Sequence, residues 1–158
     1  ALAEQPDQAD LLYARALIAE HLKKQDIVEK DLKQILAKDP DNVEALNALG
    51  YSLLDYPERY QDAEGYLKKA LELHPDEAVI IDSYGWLLFK QGKTQQALEY
   101  LQKAYNKQQE NEIAAHIIEV LWTLNKKDEA KKLFDKVIKN APDDEYLLDV
   151  KQRLLNIK

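Results

Sequence analysis

Any chemistry this chain performs would have to come from histidines, carboxylates and arginines, because its 158 residues include no cysteine. His21, His74 and His116 stand far apart in sequence, and no His-Glu-x-x-His pair sets two imidazoles one helical turn apart. A transition-metal site therefore has no support. No glycine-rich loop opens on a helix to cradle phosphates, and no Gly-x-Ser-x-Gly elbow is present, so no cofactor is expected. Glu112 and Glu119 fall on one helical face because they are seven apart. A solvated acidic rim explains them better than an acid–base pair, which needs one carboxyl group held protonated. Arg15 sits where an apolar residue is expected. Its guanidinium must reach water or a carboxylate, with Glu20 and Asp31 in range, because a buried unpaired charge is costly. These residues do not make an enzyme.

The elements that would carry them are clearest in residues 78–109, which read as a helix, a tight turn and a second helix. Ile81, Tyr84, Gly85 and Leu88 recur at helical spacing, with Trp86 and Phe89 on a neighbouring face. Gln91-Gly92-Lys93 reads as a helix stop, and Thr94 as the cap of the next start. Ala97, Leu98, Leu101 and Ala104 then form one apolar side. A glycine inside a helix costs about 1 kcal/mol against alanine, so Gly85 implies a close helix crossing.

The unit repeats. Gly85 has Gly50 and Ala16 behind it, and Ala97 has Ala63 and Val28, at offsets of 34 or 35 residues. Pro40, Pro75 and Pro142 close successive units. This period and these small residues resemble the tetratricopeptide repeat. The resemblance implies an all-α fold: a right-handed superhelical α-solenoid of helix-turn-helix units with a C-terminal capping helix. Four full repeats are expected, at 9–42, 43–77, 78–110 and 111–144. Residues 1–8 read as the tail of a preceding repeat, since Ala1 and Pro6 precede Ile35 and Pro40 by one period. Residues 145–158 read as the capping helix, with Leu147, Val150, Leu154 and Ile157 on one stripe. Asp143 and Asp144 are available to cap it. In the second repeat Pro57 ends the first helix and lengthens the turn, which Tyr56 and Tyr60 can pack. In the fourth, Ile118 replaces the small residue of the crossing, so altered packing is expected there.

Composition agrees with a helical array. Charged residues make up 32% of the chain, and no apolar run approaches the roughly 20 residues a membrane helix needs. This stretch is not expected to insert into a membrane. With 29 acidic against 22 basic residues the net charge is −7, which repels a phosphate backbone and argues against nucleic acid.

In tetratricopeptide arrays the first helix of each repeat lines a concave groove. The resemblance places Tyr13 and Leu17 there from the first repeat, and Asn47, Tyr51 and Leu54 from the second. Asp82, Trp86 and Phe89 come from the third, Glu119 and Trp122 from the fourth. Covering one large apolar side chain contributes about 1.5–3 kcal/mol before ordering costs, so a few such rings suffice for micromolar binding. The packing alternative for these rings is that they wedge between repeats. A co-chaperone branch grips a C-terminal carboxylate with Lys, Asn and Arg at these places. Here only Asn47 matches, and the acids oppose such a ligand, so apolar or basic segments are the expected guests.

The phrases Leu11-Leu12-Tyr13-Ala14-Arg15-Ala16, Asn47-Ala48-Leu49-Gly50-Tyr51, Asp82-Ser83-Tyr84-Gly85-Trp86 and Glu119-Val120-Leu121-Trp122 narrow the resemblance. They are similar to the C-terminal repeats of proteobacterial tetratricopeptide outer-membrane lipoproteins. That resemblance implies a periplasmic protein tethered to the outer membrane, an adaptor for a carboxyl-terminal processing protease and its cell-wall hydrolase substrates. The cytoplasm is the other compartment the sequence leaves open. The expected function is a non-enzymatic protein-binding scaffold. The alternative is a structural module whose copies pair into a homo-oligomer.

Overall fold

The computed structural model describes residues 4–155, with side chains from residue 8 onward. Ala1 and Ile157, which entered the expectations above, lie outside the described residues. Every regular element described is helical, and the chain divides into two compact units, one ending at Pro75 and the next starting at Asp76.

The first unit holds α1 (Glu4–His21), α2 (Gln25–Lys38), α3 (Val43–Ser52) and α4 (Tyr60–Leu73). α1 starts at Glu4, so residues 4–8, read above as the tail of a preceding repeat, are continuous with the first described helix. Ala16, Ala19, Val28, Leu32, Ile35, Ala45 and Leu49 share one core, against which Tyr13 and Tyr66 pack. Small residues are needed where helices cross: a Cβ on Gly50 would stand 2.6 Å from Leu67 Cγ and 3.2 Å from the Ala63 carbonyl oxygen. The turn between α3 and α4 is built from two short 3₁₀ turns, Leu53–Asp55 and Pro57–Arg59, with Pro57 opening the second. Asn42 caps α3 by accepting a hydrogen bond from the Ala45 amide.

Arg15 finds the carboxylate it requires. Its Nε and one Nη each donate to Asp31, both at 2.6 Å, and Asp31 is fully buried. The bidentate geometry is the strong form of this pair. Hydrogen bonding from Arg15 holds the Asp31 carboxyl below its ordinary range, against the opposing effect of burial.

The second unit holds α5 (Ala78–Lys90), α6 (Thr94–Lys107), α7 (Asn111–Thr123), α8 (Lys127–Ile138) and α9 (Glu145–Val150), followed by a π-helical turn at Lys151–Leu155. The last helix is thus shorter than expected, closing at Val150 with a wider turn. Leu147 and Val150 are buried, Leu154 is half-buried, and Asp144 caps α9 through the Leu147 amide. At the α5–α6 crossing, a Cβ on Gly85 would meet Leu101 Cδ2 at 3.0 Å and Tyr100 Cβ at 3.1 Å. Ile118 takes the corresponding place in α7 and is fully enclosed, and α7 and α8 still pair.

Three of the tight turns share one construction. The amides of Lys24, Lys93 and Lys126 each reach back 2.8 Å to the carbonyls of Ala19, Leu88 and Leu121. The preceding residues, Lys23, Gly92 and Asn125, have φ of 59°, 85° and 63° and bond to Glu20, Phe89 and Trp122. This is the Schellman termination, in which a left-handed residue turns the chain out of the helix. The turn residue after it is also the start of the next helix: Ala97 and Ala130 donate to the Lys93 and Lys126 carbonyls. The expected cap at Thr94 is therefore corrected. Thr94 is already the first helical residue, Lys93 stands at the cap position, and no side chain bonds there. The Schellman geometry sets the register one residue earlier than a threonine cap would.

Candidate functional site

The residues expected to line a groove come from the first helix of each pair, and each unit presents its own face. In the first unit, Tyr13 stands on α1, while Asn47 and Tyr51, one turn apart, stand on α3. All three are half-buried. The Tyr13 hydroxyl is raised above its ordinary range by burial first, then by the charges of Glu44 and Glu20, so two carboxylates border this ring. The Asn47 amide oxygen is buried without a hydrogen-bond partner among the described residues. Leu17 is 43% exposed on α1. Leu54, in the first 3₁₀ turn, is 2% exposed.

In the second unit the face is built on α5 and α7. Asp82 Oδ1 lies 2.8 Å from His116 Nδ1, both groups buried. The Trp86 ring stacks on His116 at 4.0 Å between centroids and 16° between planes, and on Phe89 at 4.8 Å and 28°. Lys90 Nζ sits 5.2 Å from the same ring. Trp86 is consequently 8% exposed, a wedge between two first helices, whereas Phe89 remains half-buried at its edge. Trp122 is half-buried with Lys127 Nζ 4.9 Å over its ring. Glu119 accepts from Arg153 at 2.6 Å, and Arg153 also donates to Asp149 at 2.8 Å. The Glu112 carboxyl is raised chiefly by burial, with His116 pulling the other way, and it hydrogen-bonds Tyr146 of α9.

Asp82 and Glu119 were expected on the groove, but their pairing with His116 and Arg153, and the lysines lying over Trp86 and Trp122, were not read from the sequence. A signal for the two pairings exists: each joins residues 34 positions apart, one repeat period. Residues one period apart lie on the same face of successive first helices, so complementary types at that interval can meet.

Chemically, these faces offer rings and carboxylates in fixed positions. His116 is stacked beneath Trp86 and bonded to Asp82, a packing arrangement. Among the described residues no three histidine, aspartate or glutamate side chains converge as a metal site. Among the described residues no helix is long and apolar enough to cross a membrane.

Comparison with known proteins agrees with this architecture. Two family profiles, each described as tetratricopeptide repeat, match residues 88–154 and residues 29–78 with 56–113. A TPR repeat-containing protein of Pseudomonas aeruginosa is 43% identical over 118 residues, covering 73% of this chain. The chain spans only 20% of that relative's length. Among solved structures, a thermophilic TPR protein of Thermus thermophilus superposes with a TM-score of 0.81 at 22% identity, covering 96% of this chain and 82% of its own. PilF of Pseudomonas aeruginosa gives 0.65 at 20% identity, over 98% and 80%. The O-GlcNAc transferase of Thermobaculum terrenum gives 0.68 at 23% identity over 73% of this chain, but 22% of the transferase. At such identities the likeness is one of fold. Proteins of this fold generally mediate contacts between proteins. The period, the paired helices and the matched profiles together place the chain in the tetratricopeptide repeat family.

Proposed function

We propose that the first-helix faces of this protein hold an apolar or basic segment of a partner protein, making it a non-enzymatic adaptor. The observation that carries this reading is the set of half-buried rings on the first helices, Tyr13, Tyr51, Phe89 and Trp122, with the carboxylates of Glu20 and Glu44 bordering Tyr13. Trp86 stacks on Phe89 and is itself buried, as are Leu54 and Asp82. A segment carrying Lys or Arg among apolar residues would cover the rings and answer the acids. The buried amide oxygen of Asn47 awaits a donor such as a guest backbone amide.

The phrase-level similarity to outer-membrane lipoproteins extends the proposal: an envelope adaptor in the periplasm, tethered through another part of the protein. Its partners would be a carboxyl-terminal processing protease and cell-wall hydrolases. The experiment is affinity capture from bacterial envelope extract, comparing wild type with a Phe89→Ala, Trp122→Ala variant whose helicity is intact. Enrichment of such a protease or hydrolase by wild type alone supports the reading. Equal enrichment by both proteins would move binding off these faces.

A second reading, self-assembly, is favoured by one observation. Leu11 and Ile18 on α1, with Leu22 just past its end, are exposed large apolar side chains, Leu11 at 70% and Ile18 at 62%. Mass measured against concentration, for wild type and Ile18→Glu, separates the two. A monomer at the highest concentration rejects assembly through α1.

A further inference from the structure

The second helices of the second unit, α6 and α8, leave between them a groove of about 740 Å³. α7 is its floor, through Ile117 and Leu121, one turn apart. Tyr105 of α6 and Leu133 of α8, both half-buried, supply apolar walls. A volume in the range of about 300–1,000 Å³ with an apolar floor and few polar groups is the usual form of a binding cleft.

The rims differ in charge. On the α6 side stand Gln102 and Asn106, which are neutral. On the α8 side stand Lys132 and Lys136, one helical turn apart, with Glu129 at one end. Neither lysine has a carboxylate partner among the described residues, although like charges at this spacing repel. Four other cations of this unit are engaged: Lys90 over Trp86, Lys127 over Trp122, Arg153 with Glu119 and Asp149, and Lys107 with Asp76 at 3.8 Å. The first unit has a comparable groove of about 460 Å³ between α2 and α4, floored by Leu46. Its charges answer one another: Lys69 bonds the Pro40 carbonyl at 3.0 Å and Asp41 at 3.3 Å, and Asp62 accepts from Arg59 at 2.8 Å. Of these two grooves, the one between α6 and α8 is thus the one whose lining lysines have no carboxylate partner among the described residues.

We propose that this groove is a second docking surface, separate from the first-helix faces, and that it takes an amphipathic helix of a partner protein. The helix carries apolar side chains for the floor and two carboxylates one turn apart for Lys132 and Lys136. That spacing matches the lysines, whose Cβ atoms on neighbouring turns lie about 5–6 Å apart. Helix-in-groove recognition of this kind is read through anchors at i, i+3, i+4 and i+7.

The probe is a labelled helical peptide with leucines at that spacing and two glutamates one turn apart, titrated by fluorescence anisotropy. Control peptides replace the glutamates by lysines or the leucines by serines. The glutamate–leucine peptide should bind wild type, both controls should fail, and K132E/K136E should weaken binding about tenfold. The lysine peptide should bind that variant, which excludes damage to the fold as the cause of the loss. Amide chemical shifts should move at Gln102, Tyr105 and Leu133. Equal binding of the acidic and basic peptides, or shifts confined to α5, would overturn the proposal. So would capture by anionic vesicles in preference to the peptide. Self-association abolished by K132E/K136E would overturn it too, by making the occupant a second copy of this chain.

Discussion

At the scale of single residues, Gly50 and Gly65 show how the same residue type reports two different circumstances. Gly50 faces Leu67 so closely that a methyl group cannot enter, whereas nothing lies within 4 Å of a Cβ on Gly65. Gly50→Ala should destabilise by about 1–3 kcal/mol through overpacking, despite its better helix propensity. Gly65→Ala should stabilise by about 0.5–1 kcal/mol. Urea denaturation reads both, and opposite signs are the expected result. The Arg15–Asp31 pair gives a pH dependence. Because Asp31 is held below its ordinary value of 3.8, its contribution is present above that value and lost as pH falls through the lower, folded-state one. Arg15→Met should lower stability at neutral pH and flatten this acid limb, as followed by thermal melts across pH. Gly50 and Gly85 were legible because they recur one period apart at the places where paired helices cross, which Gly65 does not. Arg15 was legible as a charge in need of a partner, with Asp31 one of two candidates.

Helix termination is the property of the element. Three turns use the same Schellman closure, but the residue at the left-handed position varies from Gly92 to Asn125 to Lys23. A lysine there strains its Cβ against the following carbonyl, by about 1 kcal/mol. Lys23→Gly should recover most of that, raising the melting temperature, while Gly92→Ala should lower it. The positions of the helices were legible from the period of small residues and prolines. The terminations were less so, since Lys23 carries no mark of positive φ and Thr94 looks like a cap. The site was legible to a similar depth. Helical spacing put Trp86 and Phe89 on one face, but spacing says nothing of what lies above that face. His116 covers Trp86 from a helix one period later, and only pairing types at that interval could have revealed it.

For the whole molecule the governing quantity is a net charge of −7. A basic guest is steered by that field, and screening shortens its reach from about 10 Å at 0.1 M salt to about 3 Å at 1 M. Association of a Lys- and Arg-bearing peptide with the first-helix faces should therefore slow with added salt, while dissociation changes less, as stopped-flow fluorescence would read. An association rate indifferent to salt would remove the acids from the account.

The bond between Asp82 and His116 also bears on how such a chain can be rearranged over generations. Apolar contacts between repeats are interchangeable, because one leucine seat accepts another repeat's leucine. The imidazole of the fourth repeat needs the acid and the indole that the third supplies. Asn47 and Tyr51 hold the matching places in the second repeat, an amide and a phenol. Excising the α5–α6 pair would thus leave the period intact and offer the histidine an amide and a phenol in place of the acid and the indole. Polar pairs of this sort act as punctuation: they let a modular chain record the order of its modules.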